Sequence, residues 1–469
     1  MREYELVIDK ALKVGLTPYD TVPFNTQVLK ECYKFRCGKL GLEKYNPLTN
    51  PLPLIEMFYN WPFPQVVTGE RYNFLIMRDA LFNHEDLVYL ISPDHSTLTL
   101  IFTIDELTFG VGTLMEVADF GLYAFMTNGV IMIYWDTTLN DWHEVIASSN
   151  IPMMRTVCNF KGQAVGGNVV SAWYDCDETY YVWSNIGEMN FNLGRRNEAG
   201  YKRDPYGGVI YHTRRLGDSV IGYSSKGITR MSPVQSPAAT FGFEELSDIG
   251  LINQGAMNGS KDRQVYVGED CKLRHITAKG IEELDYERYM RRLDGTIIVS
   301  YEPSKKDFYI SDGATTFLLS EDGMSEVSQH PSTVWRSNNS SYMLPDTEDN
   351  ASPYLCSEIF DMGYKGQKTV SSIETDAHAV EDPEAGVDQT HDLSNWSIDH
   401  YRPINNMGAA SNVVSGNAFR FRLRFSDLLD SFRIGYIKAR YKMTDLRSLR
   451  GVYAPAPRGQ AGGTLRNAD

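Results

Sequence analysis

The sequence predicts an all-β protein: a β-propeller of about six blades with an additional C-terminal β-domain. Three observations predict it. The stretch Val209–Val234, VIYHTRRLGDSVIGYSSKGITRMSPV, reads as three short strands joined by two tight turns, and similar units recur. From Trp61 to Trp335, runs of Val, Ile, Tyr, Phe and Thr are punctuated by glycine and asparagine turns. Near the C-terminus, Phe419, Phe421, Leu423 and Phe425 alternate strictly with Arg420, Arg422 and Arg424, the signature of a half-buried strand.

At 469 residues the chain exceeds the size at which one core stops growing, so more than one core is expected. Apolar residues make up 42% and charged residues 22%, in the range of ordinary globular proteins. No apolar run is long enough to span a membrane, and MREYELVIDKALKVG lacks the apolar core and cleavage site of a signal peptide, so synthesis and assembly in a cytosol are expected, with no membrane insertion. Six irregularly spaced cysteines read as free thiols in a reducing compartment.

Taken in order, residues 1–60 are broken by Pro18, Pro23, Pro47, Pro51 and Pro53 and read as an extended N-terminal docking arm. Within it, Thr26–Phe35 suits one short helix or a strand, and Tyr45–Trp61 is an aromatic, proline-rich contact surface or packed loop. Residues 61–336 form the propeller-like body. Its six units are Asn73–Phe102, Val117–Val145, Val157–Phe191, Val209–Val234, Ile252–Ile276 and Thr296–Val327. Turns are expected at Asn128-Gly129, Gly166-Gly167, Asp177-Glu178, Gly217-Asp218, Lys226-Gly227, Lys305-Lys306, Asp312-Gly313 and Asp322-Gly323. Glu282–Arg292 is the one helical stretch, an insertion between blades. A pair of β-sandwiches is the competing architecture.

Residues 337–354 read as a polar linker, 355–450 as a C-terminal β-domain and 451–469 as a flexible tail. In the C-terminal domain, Ile373, Thr375, Ala377 and Ala379 alternate with polar neighbours, and Glu381–Asp399 is acidic and loop-like. After the Phe419–Phe425 strand, a return strand sets Ile434, Tyr436, Ala439, Tyr441 and Met443 against Arg433, Lys438, Arg440 and Lys442, with a slip at Tyr436-Ile437 that suggests a bulge.

Charge is uneven along the chain. From Arg420 to Asp469 there are 11 Lys and Arg against 4 Asp and Glu, or +7, so the remainder carries −15 − 7 = −22. An acidic body argues against tight wrapping of nucleic acid. Arg420, Arg422 and Arg424 facing Lys438, Arg440 and Lys442 across a hairpin would repel one another. They form a candidate docking face, either solvated or covered by an acidic partner, which could be another protein, another copy of this chain or DNA, with protein favoured by the acidic body.

Catalytic motifs are incomplete. His84-Glu85 and His143-Glu144 begin the zincin pattern, but Val88 and Ala147 stand where its second histidine belongs. There is no phosphate-cradling glycine loop and no GxSxG elbow. Ser320–Gly323 resembles part of an Asp-box turn with the wrong spacing. Tyr301-Glu302 would have to serve as a sialidase-like nucleophile pair, and a solvent-facing strand end is the plainer reading. No cofactor, metal or catalytic residue is assigned, and the chain reads as a non-enzyme.

The layout, together with FRFRLRFSDLLDSFRIGYIKARYKM and the phrase SSKGITRMSP, resembles the tail accessory proteins of short-tailed bacteriophages, known as DNA-stabilisation, head-closure or tail-nozzle proteins. The resemblance implies a structural virion protein of the tail, assembled in the host cytoplasm. Such subunits form rings, usually homohexamers, below the portal and its adaptor ring. They continue the DNA channel and help retain and release the genome, with DNA passing the lumen without tight binding. The alternatives are a glycan-binding or sialidase-like propeller of a phage tail, and a peptide-binding intracellular scaffold.

Overall fold

The computed structural model describes residues 3–19, 21–52, 65–68, 73–79, 85–104, 114–136, 138–145, 150–194, 197–234, 241–337, 340–344, 349–377, 383–398, 400–426, 428 and 431–444. The fold is all-β, with many small antiparallel sheets and, among the described residues, two helices of a single turn, Ala11–Val14 and Glu287–Met290. The expected tail, 451–469, lies outside the described residues, as do Ala379 and His84.

Between residues 65 and 327 the chain makes six successive four-stranded meanders. The first runs through Gln65–Thr68, Asn73–Asp79, Glu85–Ile91 and Leu98–Ile104. The second comprises Glu116–Asp119, Tyr123–Thr127, Met132–Asp136 and Asp141–Glu144. The third comprises Met154–Phe160, Gln163–Val169, Tyr180–Trp183 and Gly200–Arg203. The fourth, the most regular, is Ile210–Leu216, Ser219–Ser224, Ile228–Pro233 and Phe241–Ser247. The fifth is Met257–Gly259, Arg263–Val267, Leu273–Thr277 and Gly280–Asp285, and the sixth Ile298–Glu302, Asp307–Ser311, Thr316–Leu319 and Met324–Val327. A hairpin, Thr333–Ser337 with Ser340–Leu344, follows across the boundary expected between body and linker.

The turns follow from their residues. Gly217 takes φ 58°, the left-handed first position of a II′ turn. At Asn128-Gly129 the Asn128 carboxamide oxygen accepts from the Val130 and Ile131 amides while Gly129 takes φ 86°. Asp312 does the same for Ala314 and Thr315. Gly166-Gly167 is not a turn but lies inside a strand. A Cβ on Gly166 would meet Met154 Sδ and sit 2.5 Å from the Thr156 carbonyl oxygen, and one on Gly167 would sit 2.9 Å from an Ile210 methyl. Gly167 lets the fourth sheet close onto the third, and Gly166 leaves room for the neighbouring strand of its own sheet.

Glu282–Arg292 is not one helix. Its first residues continue strand Gly280–Asp285, and positive φ at Asp285 (58°) and Tyr286 (54°) break the chain before the single turn Glu287–Met290.

The N-terminal segment is not an extended arm. Glu3–Ile8 pairs with Ile437–Met443, which in turn pairs with Lys368–Thr375. Leu29–Tyr33 joins the last strand of the sixth meander to Tyr354–Ser357, so one ten-stranded sheet runs from Ile298–Glu302 to Ala418–Arg424, Glu384–Thr390 and Trp396–Ile398. The apolar reason is direct: Ile8, Leu12, Leu16, Leu29 and Phe35 are buried in a core shared with Phe308, Phe317, Phe419, Phe421 and Leu423. That core crosses the expected linker, so the body and the C-terminal sheets are not separate folding units. Glu381–Asp399 is not loop-like either; Glu384–Thr390 is an interior strand with Ala385 and Val387 inward.

Candidate functional site

The candidate docking face does not exist as a hairpin. Ala418–Arg424 and Ile437–Met443 belong to different sheets. Between them, Phe425 and Phe432 pack edge to face at 5.3 Å and both lie against Phe35 in the core. Arg433–Ile434 on the way pairs with Gly41–Lys44. Each half of the expected ladder finds acid within the chain. Arg422 Nε lies 2.9 Å from Asp388, and Arg424 2.5 Å from Glu384. Lys438 reaches Glu5 at 2.8 Å and Glu374 at 3.4 Å, Arg440 reaches Glu374 at 2.7 Å, and Lys442 approaches Glu3 at 3.8 Å. Arg420 stacks 3.9 Å over the Trp396 ring, and Arg424 lies 4.4 Å over Tyr401. The alternation of apolar and cationic residues is as expected; the partners are the acidic strands on either side. Burial raises the Asp388 carboxyl, and Arg422 opposes that shift.

A buried polar cluster that no sequence motif marks lies in the body. First strands of five meanders and of the hairpin line a cavity of about 510 Å³: among them Gln65, Glu116, His212, Met257, Tyr301 and Thr333. Neighbouring first strands lie side by side, Met154–Phe160 against both Glu116–Asp119 and Ile210–Leu216, and Thr333–Ser337 against both Ile298–Glu302 and Gln65–Thr68. On the cavity wall Glu116, only 2% exposed, lies between His212 and Arg214. Its Oε1 is 2.6 Å from His212 Nδ1, and its other oxygen accepts from the Arg214 guanidinium. Burial opposes ionisation of Glu116, but the charges of Arg214 and His212 outweigh it and hold the carboxyl at about 2. His212 Nε2 meets the Gln254 carbonyl oxygen. His212 and Arg214 stand two apart on one strand and so share a face. That spacing was the only sequence signal, since Glu116 is 96 positions upstream of His212 and comes to it only through sheet packing.

Tyr301 and Glu302 do not form a pair. Successive strand residues point to opposite faces: Tyr301 lines the cavity with its ring 4.8 Å from Phe308, whereas buried Glu302 accepts from the Ser304 and Lys305 amides and from Ser341 Oγ. Ser320 Oγ serves the fold, donating to the Cys37 carbonyl at 2.8 Å and accepting from the Asp322 and Gly323 amides. His143 stacks 5.0 Å from Tyr134. All six cysteines are free, and among the described residues no group of three or more His, Cys, Asp and Glu is placed to hold a metal ion. Among those residues no helix is long and apolar enough to cross a membrane.

No protein-family model matches the chain, and no curated protein sequence matches it. Among solved structures it is similar to PorZ, described as an essential bacterial surface component of the type-IX secretion system of Porphyromonas gingivalis, at 9% identity and a TM-score of 0.36. That match covers 66% of this chain and 36% of PorZ. A second similarity, to Kluyveromyces lactis Hsv2, has 8% identity and a TM-score of 0.29, covering 56% of this chain and 97% of the other. At these scores neither similarity carries an argument about function.

Proposed function

We propose that the chain is a structural virion protein of a short-tailed phage, a ring-forming tail nozzle that docks below the portal and adaptor, continues the DNA channel and helps retain and release the genome. With this goes the finer reading of the fold as a β-propeller, the six meanders being blades and the Thr333–Leu344 hairpin completing the circuit beside Gln65–Thr68. The observation that carries the reading is internal closure. Strand pairing and one apolar core run from the N-terminal segment through the sixth meander into the C-terminal sheets, as suits a load-bearing subunit. On the cavity wall the Glu116 carboxylate is met by the Arg214 guanidinium. The −22 carried outside residues 420–469 favours a surface past which DNA slides without sticking.

Homohexamer formation and docking onto the adaptor ring belong to the same proposal. The basic residues Arg420, Arg422, Arg424, Lys438, Arg440 and Lys442 enter it as structural cations first, because most of their charge is met at home. One observation keeps the glycan-binding alternative: Tyr301 lines the cavity. Co-sedimentation with portal–adaptor complex, alongside glycan binding and hydrolysis assays on wild type and Tyr301→Phe, separates the two. The nozzle reading expects co-sedimentation that Tyr301→Phe leaves unchanged and no glycan signal. Glycan turnover abolished by Tyr301→Phe, with no co-sedimentation, overturns it.

A further inference from the structure

Between the second and third meanders lies another cavity, a groove of about 800 Å³. Its lining carries an aromatic cluster. Phe125 packs 5.4 Å from Tyr134 and 5.7 Å from Phe120, and Tyr123 stands edge-on to Tyr134 at 5.4 Å. Leu122 and Tyr123 are 52% and 39% exposed, and a Cβ added at Gly162 or Gly187 in the same lining would meet no atom within 4 Å. Apolar surface left open to water in this way is the mark of an interaction site. Among the described lining residues the charged ones are Glu144 and Glu188, both exposed carboxylates. The occupant that fits brings aromatic or proline side chains together with positive charge.

Such a sequence follows the last described strand. Residues 445–469 lie outside the described residues. From Leu446 to Arg466 they hold four arginines and no acidic residue, and Tyr453–Arg458, YAPAPR, sets an aromatic ring and two alternating prolines beside a cation. Proline-rich segments of this kind are recognised in the polyproline II form by aromatic-lined grooves.

Position decides whose groove the segment fills. Thr444 is tied to the Gln367 carbonyl at the end of strand Ile437–Met443, and that strand shares a core with Phe317 of the sixth meander. Around the circuit of six meanders and closing hairpin, the second and third meanders each stand three units from the sixth. On the propeller reading, the groove and the root of the segment therefore face opposite sides of the molecule, which is roughly 60 Å across for a compact chain of this length. The nine residues from Thr444 to Tyr453 span at most about 30 Å. That falls short of the chain's own groove and suits one on a neighbour seated against the C-terminal sheets.

We infer that the groove receives the C-terminal segment of the adjacent copy of this chain, with Tyr453 and the prolines on the aromatic wall and the arginines against Glu144 and Glu188. Donor and receptor on opposite sides of one subunit make a heterologous contact, the kind that closes a ring. The inference rests on the ring-forming reading and names the joint between its copies.

The test uses the full chain with Tyr453→p-benzoylphenylalanine, a photoreactive aromatic side chain. Copies labelled with ¹⁴N and ¹⁵N are mixed and irradiated at high concentration, both free and with portal–adaptor complex. Expected are cross-links from position 453 to the groove, mapped by mass spectrometry to residues 120–134 or 186–189 and joining copies of unlike isotope. Glu144→Arg with Glu188→Arg, both at exposed positions, should lower their yield about tenfold, and Arg450→Glu with Arg458→Glu should restore it. Cross-links outside the groove, cross-links joining only like isotopes, or none at all overturn the inference even where rings form. A yield that the charge reversal leaves unchanged does the same. Should the portal–adaptor complex stay undecorated, the nozzle reading fails, and the free mixture decides the contact between copies by the same criteria.

Discussion

Lys368 is the residue the sequence pattern misplaces most instructively. With Ile373 and Thr375 inward, simple alternation would put Lys368 outside. A register shift between Val370 and Ser372 reverses the parity, so Val370 and Lys368 turn inward and the lysine is fully buried. Its ammonium donates to the Tyr364 carbonyl oxygen and lies 5.4 Å over the Tyr364 ring. Burial lowers its pKa to about 8, against the pull of Asp361. The folded state therefore disfavours the charged form. The cost is complete below about pH 8 and disappears as pH rises towards the unfolded lysine value near 10.4, at up to about 3 kcal/mol, less where water reaches the ammonium. Lys368→Met should raise Tm at pH 7, and chemical denaturation should show the advantage shrinking as pH approaches 10. An advantage independent of pH would refute the assignment. Gly166 gives the opposite case. Gly166→Ala should cost about 1–3 kcal/mol by overpacking against Met154 and Thr156, measurable as a lowered urea midpoint with an unchanged m-value. The glycine pair reads as a turn in sequence because close approach of a neighbouring strand, or for Gly167 of another sheet, leaves no local signal.

At the scale of elements, strand faces were legible and strand partners were not. The Phe419–Phe425 alternation fixes which side is buried, and Phe419, Phe421, Leu423 and Phe425 are all buried. What lies opposite Arg422 depends on Glu384–Thr390, whose acidic residues look loop-like until arginines are set across from them. Such pairing predicts a contrast. Arg422→Ala strands the buried Asp388 carboxylate and should cost on the order of 3 kcal/mol. Lys442→Ala removes an exposed, long-range pair with Glu3 and should cost well under 1 kcal/mol. Equal losses in equilibrium unfolding would show that the surroundings of Asp388 relieve its charge. The slip at Tyr436-Ile437 likewise marks a real break: Tyr436 is exposed and Ile437 buried, with the Gly435 and Tyr436 amides donating to Asp376 as the chain passes between sheets.

For the whole molecule, the all-β class and the succession of meanders follow from local patterns, whereas the union of the two chain ends does not. Nothing in MREYELVIDK announces that its strand pairs with Ile437–Met443, near the other end of the chain. The cavity cluster was hidden for the same reason, its members being brought together by how whole sheets adjoin. Because Ile8, Leu12 and Leu16 belong to the shared core, removing residues 1–16 should not yield a folded protein lacking only an arm. It should unfold the C-terminal sheets, seen as loss of near-ultraviolet circular dichroism and rapid proteolysis beyond residue 350. A truncated chain with native spectra and an intact C-terminal fragment would contradict the shared core.

The central claim concerns assembly, and electron microscopy of negatively stained particles addresses it most directly, with the full chain imaged alone and mixed with portal–adaptor complex from the same source. The nozzle account predicts a ring with an open axial channel seated coaxially on the complex, whether or not the free chain forms rings by itself. Discrete monomers that leave the complex undecorated would contradict it.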